Sequence, residues 1–204
     1  FVRHGESTYN RINKHQHGQV ALSALGQKQA DQVAERFRSI EVDIIIASDF
    51  VRARQTAEKI RQTTGKKLIF SQLIREIKRP TEIENRYFHD PLSIKVRELI
   101  HQKATDPNWH YSDEENFSDL RRRATKFISE VEKRKENNIA IVTHSMFLKL
   151  MVGLMMFGER FDYELHRSIQ RSFDHRNTGV TICEKNENGH WKLLVWNDHA
   201  HLGE

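Results

Sequence analysis

The chain has 204 residues with 33 Lys and Arg against 28 Asp and Glu, a net charge of +5 and 37% hydrophobic residues, which fits one globular domain, or one with an elaborate insertion. The longest apolar run, Met146–Phe157, is interrupted by Lys149 and too short to span a bilayer, and a lone Cys183 excludes a disulfide within this sequence and favours a reducing compartment. The basic residues are scattered, with Arg121-Arg122-Arg123 the one tight run and no zinc-finger or RNA-binding motif beside it, so the charge suits small anions better than nucleic acid.

Phe1-Val2 reads as the tail of a first strand. A charged Arg3-His4 follows at once, so no signal peptide is expected, and the absent Met implies that residues precede Phe1. Ser23–Ile40 has helical period, with Ser23 as cap and Ala30, Val33, Ala34 and Phe37 on one face. Val42–Ala47 is a buried strand, Val51–Thr64 a helix that Gly65 ends in a left-handed turn, and Lys67–Phe70 a short strand. From about 80 to 116 the rhythm breaks. This stretch holds all three prolines (Pro80, Pro91, Pro107) and one amphipathic piece, Leu92–Ile100. It is expected to fold over the sheet edge as a cap. Phe117–Lys135 returns to helical period, Ile139–Thr143 is a strand, and Ser145–Phe157 an apolar helix closed by Gly158. Val180–Glu184 and Trp191–Val195, joined through Asn188-Gly189, form a hairpin.

Strands alternating with helices predict an α/β fold: a three-layer sandwich with a mostly parallel central sheet flanked by helices, and a helical or irregular insertion over the C-terminal sheet edge. Ligands of such sheets sit at the carboxyl ends of the strands. Arg3-His4, Ser48 with Arg52 one helical turn later, Arg75-Glu76 and His144 each follow a different strand there. The imidazoles of His4 and His144, the guanidiniums of Arg3 and Arg52 as clamps and the carboxyl group of Glu76 match phosphoryl transfer. Guanidinium forks fit phosphoryl oxygens, a neutral imidazole is a competent nucleophile, and the leaving alkoxide needs a proton. Glu76 is assigned as the proton donor, with Glu82 in reserve; a surface ion pair of Glu76 with Arg75 or Lys78 is the competing reading.

Arg3-His4-Gly5-Glu6 with Ser7-Thr8-Tyr9-Asn10 resembles the signature of the histidine phosphatase superfamily, phosphoglycerate-mutase-like branch. Further segments are similar to that family in order and spacing: 22–30 (LSALGQKQA), 48–57 (SDFVRARQTA), 115–120 with Arg123, Val142-Thr143-His144-Ser145, 177–181 and 196–202. The resemblance implies phosphorylation of His4, with Arg3, Arg52 and His144 around the phosphoryl group, Glu76 as donor, and Ser7 and Asn10 as further pocket donors. It also implies no metal and no cofactor; His15 and His17 lack a third ligand. This chain departs from the pattern in three places. Ser145 follows His144 where glycine is common, Gln16–Leu22 lacks an acidic residue, and Ile77-Lys78-Arg79-Pro80 makes the substrate rim more basic.

The expectation is therefore a metal-independent phosphatase acting on a small phosphorylated metabolite, in one domain spanning 1–204 with an insertion at about 80–116. Phosphoglycerate mutase-type transfer with the same residues is the alternative, and a non-catalytic phosphate-binding protein a weaker one. A cytoplasmic location is expected, without nucleic-acid or membrane partners, and a homodimer is left open.

Overall fold

Every residue of the Ile-Ile-Ile-Ala-Ser stretch at 44–48 is buried, as expected of a strand covered on both faces. The computed structural model describes residues 1–203. Its strands are β1 (Val2–Arg3), β2 (Ile44–Ser48), β3 (Lys67–Ser71), β4 (Ile139–Thr143), β5 (Val180–Lys185) and β6 (Trp191–Asp198). They form one sheet in the order β3-β2-β4-β1-β5-β6. The first four are parallel, with Val2 opposite Val142 and Ile46 opposite Ile141, and the β5–β6 hairpin adds an antiparallel edge beside β1.

Helices cover both faces, so the sandwich has three layers. They are α1 (Thr8–Arg11), α2 (Ala24–Arg36), α3 (Val51–Thr64), α4 (Pro91–Lys103), α5 (Phe117–Glu132), α6 (Ser145–Phe157) and α7 (Tyr163–Ser172). On one face Val33, Ala34, Ala53, Ala57 and Ile60 pack against Ile45, Ala47 and Val142. On the other, Leu120, Ala124, Phe127, Phe147, Leu150 and Met151 pack against Ile46 and Ile141. Parallel strands joined through helices bury both faces in this way.

Most element bounds follow the sequence pattern. Ser23 caps α2 by accepting from the Gly26 amide, and Gly65 ends α3 at φ 70°. Helix α2 stops at Arg36 rather than continuing to Ile40, with Phe37 as its cap. Within 80–116 the chain is more helical than its composition suggests: Asp90 caps α4 through the Leu92 and Ser93 amides, and Pro91 takes the first turn. No helix among the described residues is long and apolar enough to cross a membrane.

Candidate active site

β1 ends at Arg3, and the next residue enters a turn fixed from several sides. The His4 amide donates to the Thr143 carbonyl at 3.0 Å, and the His4 carbonyl accepts from Asn177 Nδ2 at 2.8 Å. Gly5 donates to Thr56 Oγ1 at 3.1 Å. Gly5 and Gly26 let the turn press against the start of α2. A Cβ on Gly26 would overlap the Glu6 carbonyl, and one on Gly5 the Gly26 carbonyl. Ser23 reinforces the junction, donating from its amide to the Glu6 carbonyl and from Oγ to the Glu6 carboxylate.

The His4 ring is 3% exposed. Nδ1 donates to the Gly5 carbonyl at 2.7 Å, which leaves Nε2 as the ring's lone-pair nitrogen, and Nε2 accepts from Arg52 Nε at 3.2 Å. Burial, then Arg52 and Arg3, hold this imidazole well below the usual histidine range. It is neutral at physiological pH, as a nitrogen nucleophile must be.

Arg52 is carried into the site by the first turn of α3. It is 1% exposed, and Nη1 donates to the His17 carbonyl at 3.0 Å. Burial lowers its pKa to about 10, so it stays charged. Arg3 donates from Nη1 to the His175 carbonyl. His144 precedes α6; its ring centroid lies 5.1 Å from that of His4, and its Nε2 shares a hydrogen bond with Ser48 Oγ at 2.8 Å. Burial and the neighbouring arginines keep it, too, well below the ordinary range. The positive charge in the site is therefore guanidinium charge, and His144 can offer one N–H as a neutral ring.

Glu76 reaches the site from the loop after β3. Oε1 accepts from the Ile77 amide at 3.1 Å and the Phe147 amide at 3.0 Å, and Oε2 from the Met146 amide at 3.2 Å. Two of these donors belong to the first turn of α6, where amides lack partners within the helix. The loop is held by Arg123, which donates to the Leu73 and Arg75 carbonyls at 2.9 Å and pairs with Glu115. Arg75 pairs with Asp49 instead of Glu76.

A cavity of about 360 Å³ opens on this group, lined by Arg3, His4, Asn10, Arg52 and Glu76 together with Lys14, His15, Gln16, Ile77, Arg79, Phe88, Arg97, Ser145 and Met146. His144 stands behind His4, fully buried. Ser7 does not line the cavity: its Oγ caps α1 and donates to Asn10 and Gln16. Glu82 does not line it either; its carboxylate accepts from Ser112 Oγ at 2.9 Å. His15 faces the cavity, whereas His17 contributes its carbonyl to Arg52. Among the described residues no group of three His, Cys, Asp or Glu side chains is placed to hold a metal ion. Lys14 and Arg97 carry no signal in the sequence; His15 stood out there only beside His17, as a pair lacking a third metal ligand, and Arg79 only as part of the basic stretch after Glu76.

The family model for the histidine phosphatase superfamily, branch 1, matches residues 1–199. The chain belongs to this family. The histidine phosphatase is 29% identical over 211 residues to a probable phosphoglycerate mutase GpmB from Erwinia tasmaniensis, covering 99% of this chain and 93% of that protein. Among solved structures it resembles Bacillus stearothermophilus YhfR (TM-score 0.81, 23% identity, 98% and 96% of the two chains). It also resembles a mycobacterial glucosyl-3-phosphoglycerate phosphatase (TM-score 0.78, 20% identity, 97% of each chain). A phosphoserine phosphatase from Entamoeba histolytica has TM-score 0.77 at 22% identity, over 98% of this chain and 96% of that one. These structural likenesses establish the fold. By class the histidine phosphatase is a phosphoric monoester hydrolase, with phosphoglycerate mutase as the neighbouring activity.

Proposed function

We propose that this histidine phosphatase hydrolyses a small phosphomonoester through a phosphohistidine on His4. The observation that carries the reading is the His4 ring itself: buried, neutral, fixed in one tautomer by the Gly5 carbonyl, and set beside Arg52 at a cavity wall. As the phosphoryl group enters, Arg3 and Arg52 turn their N–H groups to its oxygens, and the Nε2 lone pair is released for attack on phosphorus. The N–P bond forms, the P–O bond to the alcohol breaks, and Glu76 gives the alkoxide its proton. Water then attacks the phosphohistidine and loses a proton to Glu76, and the N–P bond breaks to yield inorganic phosphate. His144 donates to a phosphoryl oxygen from its neutral ring. Asn10 lines the pocket as a further donor, and Ser7 fixes Asn10 from behind. In this reading the segment 80–116 is a cap that shapes the alcohol side, since Phe88 and Arg97 reach the cavity from it.

The test is phosphate release from a panel of phosphomonoesters, with rapid quenching to trap an acid-labile, base-stable phosphoenzyme. His4→Ala should abolish both signals and leave a folded protein; near-parent turnover in that variant removes His4 as nucleophile. Mutase-type transfer is favoured by the Erwinia relative's name. A mutase would release little phosphate and need a phosphorylated primer.

A further inference from the structure

A second hollow begins beside the residues that hold Glu76. The Ile77 and Met146 amides donate to its carboxylate at 3.1 and 3.2 Å, and the same two residues line an adjoining cavity of about 180 Å³. This cavity lies between α4, α5, α6 and α7, and it shares Ile77, Arg79 and Met146 with the cavity at His4. Arg79 and Met146 form the partition, touching through Nη2 and the sulfur at 3.0 Å. A thioether is a weak acceptor on a pliable side chain, so this partition yields at little cost.

The wall of the second cavity is apolar by construction. Ile100, Ala104, Trp109, Phe117, Leu120 and Tyr163 line it. Its polar residues spend their heads elsewhere. Glu114 accepts from the Tyr111 and Ser112 amides at 2.6 and 2.8 Å, Glu115 pairs with Arg123, and Gln170 donates to the Met146 carbonyl at 2.9 Å. Asn116 donates to the Pro107 and Trp109 carbonyls at 2.9 and 3.1 Å, which fixes the Trp109 segment, and His101 shares a hydrogen bond with Tyr163 at 2.9 Å that ties α4 to α7. His166 is 7% exposed, its Nδ1 has no protein partner, and burial holds its pKa to about 4, so the ring is neutral.

Size and charge select what fits. An apolar cavity of about 150 Å³ holds one benzene ring, and this one has room for a group of that size. On its wall Arg79 and Arg167 are balanced by Glu114 and Glu115. A charged group would lose its water there without gaining a free partner. We propose that this cavity receives an uncharged, ring-sized apolar group on the alcohol side of the substrate, which makes the preferred substrates phosphomonoesters of arylalkyl alcohols. This rests on the phosphomonoesterase reading of His4. With the phosphoryl group between Arg3 and Arg52 and the ester oxygen at Glu76, the carbon chain leaves over Ile77 and Met146, and its ring lies against Phe117 and Tyr163.

Four pairs of esters test it, each pair differing only in a terminal ring: benzyl, 2-phenylethyl, 3-phenylpropyl and 4-phenylbutyl phosphate against methyl, ethyl, propyl and butyl phosphate. All leave as alkoxides that need a proton, so Glu76 serves both members of a pair alike. The parent protein should favour the ring-bearing member by roughly ten- to a hundredfold in kcat/KM at one or more linker lengths, the scale of burying a ring. Ala104→Leu narrows the cavity and Ile100→Asn makes its wall polar; both positions are half-buried at the end of α4. Each variant, checked for folding by a thermal melt, should shrink that ratio at least about fivefold. A parent ratio below about threefold at every length overturns the pocket. A ratio unchanged in the folded variants overturns it too, because the ring then lies in another hollow. If the parent releases no phosphate even from 4-nitrophenyl phosphate, the phosphatase reading falls instead. The cavity is then read by calorimetric binding of the eight esters to His4→Ala, where equal affinities at every length overturn it.

Discussion

Arg52 donates from Nε to Nε2 of His4 at 3.2 Å while its Nη1 holds the His17 carbonyl at 3.0 Å. One guanidinium thus aims the ring and, in the proposed mechanism, would meet the phosphoryl oxygens. Lysine keeps the charge and loses the planar fork. Arg52→Lys should lower kcat/KM for 4-nitrophenyl phosphate by roughly a hundredfold or more, measured alongside a thermal melt to separate catalysis from folding. A loss under threefold would show that charge alone is needed there.

Glu76 is expected to act on the leaving group. Replacement by Gln keeps the shape and removes the transferable proton. Turnover of alkyl phosphates should fall by roughly 10²–10⁴, and that of 4-nitrophenyl phosphate much less, because nitrophenolate leaves without a proton. Parallel steady-state assays on the two substrate types decide it. Equal slowing would take Glu76 out of the donor role.

The buried histidines make stability depend on pH. Burial holds His166 at about 4 and His175 at about 3, against roughly 6.5 in an unfolded chain. Below about pH 6.5 the unfolded state binds protons that the folded state refuses. Stability is therefore complete above that pH and declines toward pH 4, by up to about 1.4 kcal/mol per pH unit for each such residue. His4 and His144 act in the same direction. Thermal melts from pH 7.5 to pH 5 at fixed ionic strength should show a falling midpoint; a flat profile would contradict burial of neutral imidazoles.

Gly26 has a steric duty. A Cβ there meets backbone, the Glu6 carbonyl, rather than a side chain that could move. Gly26→Ala should cost about 2–4 kcal/mol in a denaturant titration, and it should reduce turnover through the displaced turn at His4. A change below 0.5 kcal/mol, on the order of an ordinary surface substitution, would mean that the two backbones separate easily.

Strands, most helices and the gathering of His4, Arg52, Glu76 and His144 at the strand ends were legible because each rests on local pattern. Ile44–Ile46 and Ile139–Val142 announce buried strands, and His4 and His144 follow such strands directly. Helix α7 escaped because it is short and polar, with His166 its one buried residue, although Asp162 caps it and Leu165 and Ile169 keep helical spacing. Helix α1, four residues long, has no buried face to leave a pattern. The wall of Lys14, His15, Arg79 and Arg97 was illegible for another reason. It arises from pairing between residues 13–15 and 85–88, and no local period records which loop meets which.

The strand that leads into His4 has a further consequence for how the protein is made. β1 lies inside the sheet, yet its partners are Val142 on one side and Val180 on the other. Among the described strands β1, the earliest made, therefore waits for β4 and β5, and no fragment lacking those two strands can assemble the His4 turn. Native contacts so distant in sequence slow folding and leave β1 and β2 with open edges meanwhile. Competence for chemistry therefore waits for residues as late as Val180.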